Sequence, residues 1–507
     1  MTRCVLAAAA DASPHRALLL AGGGMRVAWQ AGALIALEEA GLRFQHFDGA
    51  SGGTFNLSML LSGLTPQEMA QRWRALDLKA FVSLLPFEDY LRTDWPALGD
   101  ADGLRQKIFP ALGIDFAALR ACEGLSATYN LCNFTRKTLE VVEHTQLDAD
   151  LHVAAVSLAG FLPSVPHGQC LYTDAVWIKD TNLWEAVKRG CEELWPLWCI
   201  GNSPAYHDGL FHQYVHMIEM SANGALFEEL DRIRELNARI EAGDSPYGQR
   251  QPVRLHVIKS PQALPLDPDF YLGRVRPESL IALGYQAART YLEARTDQGL
   301  PLTPEITTMT DSAPGLGFRE TMSGPFTLGV TDPKIGASTP DAPTLAMHAA
   351  VYIPDLAHFL QDPAHPGGLS GTIDFAPLGM GIQAHHGVFK LFSPTEAPDT
   401  NYMLYELAFE QGGQAYYLAG HKVVRQDPGF DLWTDTTTLY TQLHKGPDDQ
   451  GEVIGAGVLS LGALDLIKLL GTMEVPNASA AQRLEALASF GKFFLGELWE
   501  TYAKHVR

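Results

Sequence analysis

The hydrophobic and polar positions after Arg16 change their period repeatedly, which predicts alternating strands and helices. The apolar run RALLL from Arg16 has the length of a buried strand, and the segment MRVAWQAGALIALEEAG after the glycine loop predicts a helix that ends at Gly41. A second strand at FQHFD and a second helix ending near Gly63 repeat this order. Because strand and helix alternate, we expect a mainly parallel sheet covered by helices, which is the α/β class.

Later segments continue the mixture of strands and helices up to residue 298, and β-rich segments follow. Before residue 299 we predict helices within 69–119, at 184–194 and at 219–242, and strands at 127–134, 138–143, 152–158 and 253–261. β-rich runs follow at 325–330, 344–353, 387–392, 401–409, 415–424 and 436–443, and helices at 459–470 and 478–502. The predicted organisation is a leader at residues 1–15, an α/β domain at 16–298, and a β-rich α+β domain with C-terminal helices at 299–507.

Charge and composition exclude several classes of function. Lys and Arg number 37 and Asp and Glu number 58, and the resulting net charge of −21 would repel phosphate backbones, so no nucleic-acid partner is expected. No apolar run reaches the roughly 18 residues of a membrane-spanning helix, and residues 1–13 lack a secretory pattern, so we expect a cytoplasmic protein. The cysteines and histidines show no metal-ligand spacing, and neither a metal nor another cofactor is expected.

The first candidate for chemistry is the run Gly49-Ala50-Ser51-Gly52-Gly53, which lies between an apolar strand and a helix. Small residues around the serine allow the sharp turn of a G-x-S-x-G nucleophile elbow, which exposes the serine hydroxyl. A Gly/Ser-rich turn with an N-capping serine produces such a match more often by chance. The position at a strand-to-helix junction nevertheless favours Ser51 as a nucleophile.

The second candidate is the run Gly22-Gly23-Gly24-Met25, which follows the first strand and opens the first helix. Free backbone N–H groups at such a helix start stabilise developing negative charge. Val27 stands where a dinucleotide-binding fingerprint has glycine, and the Lys and Ser/Thr of a phosphate-binding P-loop are missing. The sequence therefore favours an oxyanion hole formed by residues 22–25 over a purely structural tight turn.

The motifs AGGGMR and GASGG, in this order, resemble those of the patatin-like phospholipase family over residues 16 to about 298. The resemblance implies a three-layer α/β/α domain with a Ser-Asp dyad, in which Ser51 attacks an ester carbonyl and an aspartate accepts its proton. Two positions depart from the family pattern, since Val27 and Ala175 stand where it has glycine.

The resemblance also points to the aspartate. The family has it in a D-G turn after a Pro-containing segment, and FLPSVPHGQCLYTDAV supplies Asp174 in that context. Asp208 and Asp180 compete, but no strand is predicted before Asp208, which is interpreted as a turn carboxylate, and Asp180 is interpreted as a helix N-cap or a group behind the site. We expect Asp174 to be the base. Arg26 is a candidate for binding an anionic group of the substrate, with a structural ion pair as the open alternative.

The C-terminal region contains no comparable motif. Its runs GFRETMSGPFTLG and YYLAGHKVVRQDPGFDLWTDTTTLYTQLH resemble a non-catalytic segment fused to bacterial cholesterol-oxidase-like flavoproteins. This resemblance implies a β-rich barrel or sandwich that shields or presents apolar ligands. The sequence has no flavin motif, so oxidase activity is not expected.

Two hypotheses of different class follow from the sequence. The first is a lipid acyl hydrolase of the phospholipase A or lysophospholipase type, acting on a lipid ester during transient contact with a membrane or micelle surface. The alternative is a non-catalytic scaffold that binds an anion or a lipid and carries an inert Ser51. No motif encodes the acyl chain, the head group, the positional specificity or the oligomeric state.

Overall fold

The computed structural model describes residues 4–9, 12–76, 83–84, 97, 99–202, 206, 208–266, 276–310, 313–394, 400–425, 438–461, 472–476, 478 and 480–495. Contacts between Cα atoms divide the chain into two compact units, one formed by Met1–Gly273 with Leu283–Asp311 and the other by Arg274–Ala282 with Ser312–Arg507. The predicted boundary between residues 298 and 299 lies inside the first unit, because Ile306 and Met309 are buried in the hydrophobic core of that unit.

The chain up to residue 311 contains both strands and helices. The strands are β1 (Arg16–Leu20), β2 (His46–Ala50), β3 (Ser83–Leu84), β4 (Gly99–Asp100), β5 (Ser126–Asn133), β6 (Thr138–Glu143), β7 (Val165–His167), β8 (Cys170–Asp174), β9 (Glu193–Trp198), β10 (Arg254–Leu255) and β11 (Ile258–Lys259). The helices are α1 (Ala28–Glu39), α2 (Gly53–Leu61), α3 (Pro66–Ala75), α4 (Phe109–Leu112), α5 (Phe116–Arg120), α6 (Ala149–Val156), α7 (Leu183–Lys188), α8 (Leu210–Glu241) and α9 (Pro277–Ala294). Short 3₁₀ helices lie at Gly24–Val27, His144–Gln146, Ala175–Trp177 and Pro304–Thr307, and a π-helical stretch lies at Leu104–Ile108.

Most of these strands form one mixed sheet in the order β10-β9-β1-β2-β5-β8-β7, with β11 also paired to β9 and β6 to β5. The pairs β1–β2, β1–β9 and β2–β5 are parallel, whereas β5–β8 and β7–β8 are antiparallel. β1 and β2 are buried neighbours, and Leu20 is paired with Gly49, so the loops after both strands leave the same edge of the sheet. The predicted α/β class is confirmed, and this register brings residues 22–24 beside Ser51.

Some elements of this unit differ from the prediction. Residues 152–158, predicted as a strand, lie mostly in α6, because Asp148 caps that helix by accepting a hydrogen bond from the Leu151 N–H at 2.8 Å. The helix predicted at 184–194 ends at Lys188, and β9 follows as a fully buried strand despite its Pro196. The long helix predicted at 219–242 exists as α8 but begins earlier, at Leu210. Parts of the helical region predicted at 69–119 lie outside the described residues.

The second unit is a closed antiparallel β-barrel, in which each strand pairs with the next and β12 pairs with β19. Its strands are β12 (Leu316–Leu328), β13 (Thr344–Ile353), β14 (Pro366–Phe375), β15 (Gly379–Pro394), β16 (Thr400–Gln411), β17 (Gln414–Arg425), β18 (Thr438–Lys445) and β19 (Glu452–Ser460), and its helices are α10 (Pro333–Ser338), α11 (Leu356–Gln361) and α12 (Ala480–Leu495). This confirms the predicted β-rich C-terminal domain. Residues 459–460, predicted to begin a helix, end β19, and residues 462–471 lie outside the described part of the chain.

Alternate positions of the barrel strands are buried, as expected for a strand with one face toward a core. In β12, Leu316, Phe318 and Met322 are buried, and they join a hydrophobic cluster with Met403 and Leu407 of β16. The cluster draws on all eight strands, so apolar side chains fill the core of this unit.

The described residues of the N-terminal segment make contacts with the rest of the first unit. Leu6 is fully buried, and Ala7 forms a parallel bridge with Phe44, although residues 1–15 were expected to be a leader. Among the described residues, no helix combines the length and the apolar composition that crossing a membrane requires.

Candidate active site

Ser51 lies in a tight turn between β2 and α2. Its φ of +47° is in the left-handed region, which residues other than glycine rarely adopt. A Cβ at Gly53 would lie 2.1 Å from the Leu20 carbonyl oxygen, and a Cβ at Gly52 would lie 2.6 Å from the Gly24 carbonyl oxygen. Both positions therefore require glycine, and the turn has the shape expected of a nucleophile elbow.

The glycine loop after β1 lies against this turn. Gly23 and Gly24 have φ angles of +148° and +56°, and a Cβ at Gly22 would lie 2.6 Å from the Ser51 Cβ. The Gly22 N–H donates to Asp180 Oδ2 at 3.0 Å, so this expected oxyanion donor is already engaged. In the part of the chain that the structure describes, the N–H groups of Gly23 and Gly24 meet no acceptor. These two residues line a cavity together with Ser51, where their amides can receive negative charge.

Asp174 is the last residue of β8 and forms a hydrogen bond with Ser51. The Ser51 Oγ donates to Asp174 Oδ2 at 2.5 Å, and the Val176 N–H donates to Oδ1 at 2.9 Å, which fixes the orientation of the carboxylate. Burial raises the pKa of Asp174 to about 7, while the hydrogen bonds from Ser51 and Val176 act in the opposite direction. One short hydrogen bond thus joins the two residues that the sequence predicts to react.

The competing acids occupy different positions. Asp180 is fully buried behind the glycine loop, and burial together with the nearby Asp174 carboxylate raises its pKa well above the usual range. Its Oδ1 meets no hydrogen-bond partner among the described residues. Asp208 is exposed before α8 and does not line the cavity. Asp180 therefore supports the loop, whereas Asp208 lies apart from the site.

Arg26 and Met25 complete the segment in which the sequence predicts an oxyanion hole and a substrate contact. Both line the cavity. The Arg26 Nε donates to the Gly23 carbonyl oxygen at 2.9 Å, which holds the glycine loop in its conformation. Met25 is buried, with 3% of its surface exposed.

Ser51 and Asp174 line a cavity of about 490 Å³. No histidine lines this cavity among the described residues. Most of the lining is apolar and includes Phe55, Leu104, Val156, Leu158, Phe161, Leu162, Val176, Ile200, Phe211, Val215, Ile218 and Leu266. A cavity with this lining can bury an aliphatic chain next to the Ser51 hydroxyl.

The two departures from the glycine pattern do not disturb the site. Val27 has φ −64° and ψ −10°, a right-handed helical conformation that any residue adopts. Ala175 begins the 3₁₀ helix after Asp174 and is not among the residues with positive φ. A Cβ therefore adds no backbone strain at either position.

The sequence patterns did not indicate a buried polar network behind the site. Asp48 accepts hydrogen bonds from Thr128 Oγ1 at 2.6 Å and from Asn130 Nδ2 at 2.7 Å. Asn130 Nδ2 also donates to the Gly49 carbonyl oxygen at 3.1 Å, and Asn182 Nδ2 donates to Asn130 Oδ1 at 2.8 Å. The network links the strand before Ser51 to the segment after Asp174. In the sequence the network corresponds to polar residues within buried strands, namely Asp48 in β2 and Thr128 and Asn130 in β5.

The region that contains this site resembles a known family. Residues 18–187 match the family model of patatin-like phospholipases. This patatin-like region includes the glycine loop, Ser51 and Asp174, and the match supports a lipid acyl hydrolase activity in general terms. No curated protein matches the chain.

A solved structure also matches part of the chain. VipD from Legionella pneumophila shares 10% identity and has a TM-score of 0.30, over 58% of this chain and 71% of that one. The patatin-like region ends before the barrel, and none of these matches supports the resemblance of the C-terminal region to cholesterol-oxidase-like flavoproteins.

Proposed function

We propose that this protein hydrolyses carboxylic esters of lipids, as a phospholipase A or lysophospholipase, with Ser51 as the nucleophile and Asp174 as the base. The observation that carries the proposal is the 2.5 Å hydrogen bond from Ser51 Oγ to Asp174 Oδ2 beside an apolar cavity. A hydroxyl becomes nucleophilic when an adjacent base accepts its proton, which is the relation between these two groups.

The reaction would proceed in two halves. Ser51 Oγ attacks the ester carbonyl carbon while its proton passes to Asp174, and the leaving alcohol then takes that proton. In the second half, Asp174 accepts a proton from the water that attacks the acyl-enzyme, and the fatty acid leaves as Ser51 regains its proton. We propose the Gly23 and Gly24 amides as the oxyanion donors, each contributing about 3 kcal/mol to the transition state.

In this proposal, the oxyanion donors do not include Gly22 and Met25, the other two residues of the predicted oxyanion segment. Gly22 keeps the loop in place through its hydrogen bond to Asp180. Arg26 is the cationic residue among the described lining residues, and we propose that it contacts an anionic head group while its Nε holds Gly23. Met25 contributes apolar lining.

Activity is expected to rise with pH through about 7, because Asp174 accepts a proton only as a carboxylate and burial raises its pKa to about 7. At about pH 5 most of this carboxyl is protonated, and kcat/KM should be roughly 100-fold below its plateau. The measurement is kcat/KM for a short, water-soluble nitrophenyl ester across this pH range. The pKa of Asp48 is also raised to about 7 by burial, so near-UV circular dichroism at each pH serves as the control for structural change. A flat activity profile would contradict the role given to Asp174.

A fluorophosphonate probe tests the proposal, because it reacts with an activated serine hydroxyl and not with an ordinary one. We expect stoichiometric labelling of the native protein, mapped to Ser51 by peptide mass spectrometry, and no labelling of the unfolded protein. A non-catalytic lipid- or anion-binding scaffold would remain unlabelled in its native state. That outcome would overturn the proposal.

A further inference from the structure

The first turns of α8 expose a row of apolar side chains. Leu210 is 90% exposed, Met217 48% and Met220 67%. At 3.6 residues per turn, these three positions fall within a sector of about 80° on one face of the helix. Single exposed apolar residues are ordinary in proteins, but a row on one helix face is typical of an interaction surface. We call Leu210, Met217 and Met220 the α8 stripe.

The face next to the α8 stripe lines the cavity. Phe211, Tyr214 and Ile218 contribute to the lining, and the Tyr214 hydroxyl donates to the Ala159 carbonyl oxygen at 2.6 Å. Farther along the helix, Leu226 and other residues are buried in the hydrophobic core, which anchors α8. One side of these turns therefore faces the cavity that contains Ser51, and the adjoining side is exposed to solvent.

Charge distinguishes between the surfaces that the α8 stripe could contact. Between Leu210 and Met220 the one Asp, Glu, Lys or Arg residue is Glu219, whose Oε2 lies 3.2 Å from His216 Nδ1, although the chain as a whole has a net charge of −21. An anionic lipid surface would repel a protein of this charge, whereas zwitterionic head groups would not. An uncharged stripe of Leu and Met gains free energy by burial among acyl chains just below such head groups.

We propose that the α8 stripe docks on a zwitterionic phospholipid surface and brings the cavity that contains Ser51 close to it. The choice of a lipid partner rests on the proposed function, since an apolar cavity beside a reactive serine would receive its acyl chain from that surface. The docking depends on exposed residues that neither line the cavity nor contact the proposed reacting atoms. It can therefore be separated from hydrolysis by experiment.

The test is flotation of the full-length protein with phosphatidylcholine vesicles, in a Ser51→Ala background so that no lipid is hydrolysed. The triple variant Leu210→Ser, Met217→Gln, Met220→Gln should bind at least about tenfold more weakly, because it loses three apolar side chains. The matched control is Met380→Gln with Leu484→Ser, two side chains of the second unit that are 69% and 73% exposed. This control should bind as the parent does. Vesicles that contain phosphatidylglycerol should bind the parent more weakly at low salt.

Hydrolysis provides the second readout, with Ser51 restored. The triple variant should hydrolyse dispersed phosphatidylcholine at least about tenfold more slowly, yet keep its rate on a soluble nitrophenyl butyrate within about twofold. The single variant Met220→Gln, which leaves the start of α8 unchanged, should show a smaller loss in the same direction. It tests the docking surface independently if the triple variant does not fold.

Several outcomes would overturn the docking surface. These are an absence of vesicle binding by the parent, undiminished binding by the triple variant, or equal losses in the control. An absence of vesicle binding would point to a protein partner for the stripe instead. If the stripe mediates vesicle binding but the wild-type protein hydrolyses no ester, the proposed function fails and the docking surface stands.

Discussion

Replacement of Ser51 by alanine is expected to abolish ester hydrolysis, with a loss of about 10⁴-fold or more in kcat, while the protein remains folded. The change removes the hydroxyl that forms the 2.5 Å hydrogen bond with Asp174. The backbone of the turn does not depend on that hydroxyl, because the Thr54 N–H and the Thr54 Oγ1 both donate to the Ser51 carbonyl oxygen. The loss should therefore be chemical and not structural.

The measurement is kcat on a soluble ester, together with fluorophosphonate labelling and the circular dichroism spectrum. Ser62→Ala is the matched control, since Ser62 follows the other end of α2 and does not line the cavity. It should keep most of the activity and the full labelling. Retention of more than a few per cent of activity by a folded Ser51→Ala protein would refute Ser51 as the nucleophile.

The second large effect is expected for Asp174→Asn, which should lower kcat by about 10²- to 10⁴-fold. Asparagine has the shape of aspartate, and its oxygen can still accept the Val176 N–H, but an amide cannot accept the proton of the Ser51 hydroxyl. The fall should appear in kcat on both soluble and dispersed esters.

Asp180→Asn is the control for this variant. The Asp180 carboxyl accepts the Gly22 N–H at 3.0 Å, and an asparagine oxygen can make the same bond, so we expect less than about a tenfold loss. Asp208→Asn should be nearly silent, because Asp208 is exposed outside the cavity. If Asp180→Asn or Asp208→Asn proved as inactive as Asp174→Asn, the base would have to be reassigned.

Local chemistry explains why much of this site could be predicted from the sequence. The turn at Ser51 needs glycine at positions 52 and 53, since a Cβ there would meet carbonyl oxygens at 2.6 Å and 2.1 Å. The glycine loop needs positive φ at Gly23 and Gly24. Constraints of this kind act within a few residues, so they leave a recognisable pattern along the chain.

Other features were harder to predict, either because the local pattern is ambiguous or because they depend on tertiary contacts. Residues 152–158 are apolar enough for a strand, but most of them lie in α6, which the N-cap hydrogen bond of Asp148 stabilises. Strand β14 was not predicted, because PGGLSGTIDF is rich in glycine; a Cβ at Gly371 would lie 2.3 Å from the His348 carbonyl oxygen of the neighbouring strand. The engagement of the Gly22 N–H by Asp180 also joins distant parts of the chain, which no local pattern encodes.

The proposed reacting groups are attached to the backbone through very few rotatable bonds. Ser51 has a single side-chain torsion before its oxygen, Asp174 has two torsions, and the donors at Gly23 and Gly24 are main-chain amides. The hydrogen bond between the two side chains and the Val176 N–H restrain these torsions before any substrate arrives. Little conformational entropy is then left to lose when an ester enters the cavity, because the ordering has already occurred during folding. The left-handed conformation at Ser51 has a free-energy cost, which is offset by the interactions that stabilise the folded chain. This cost does not recur in each turnover.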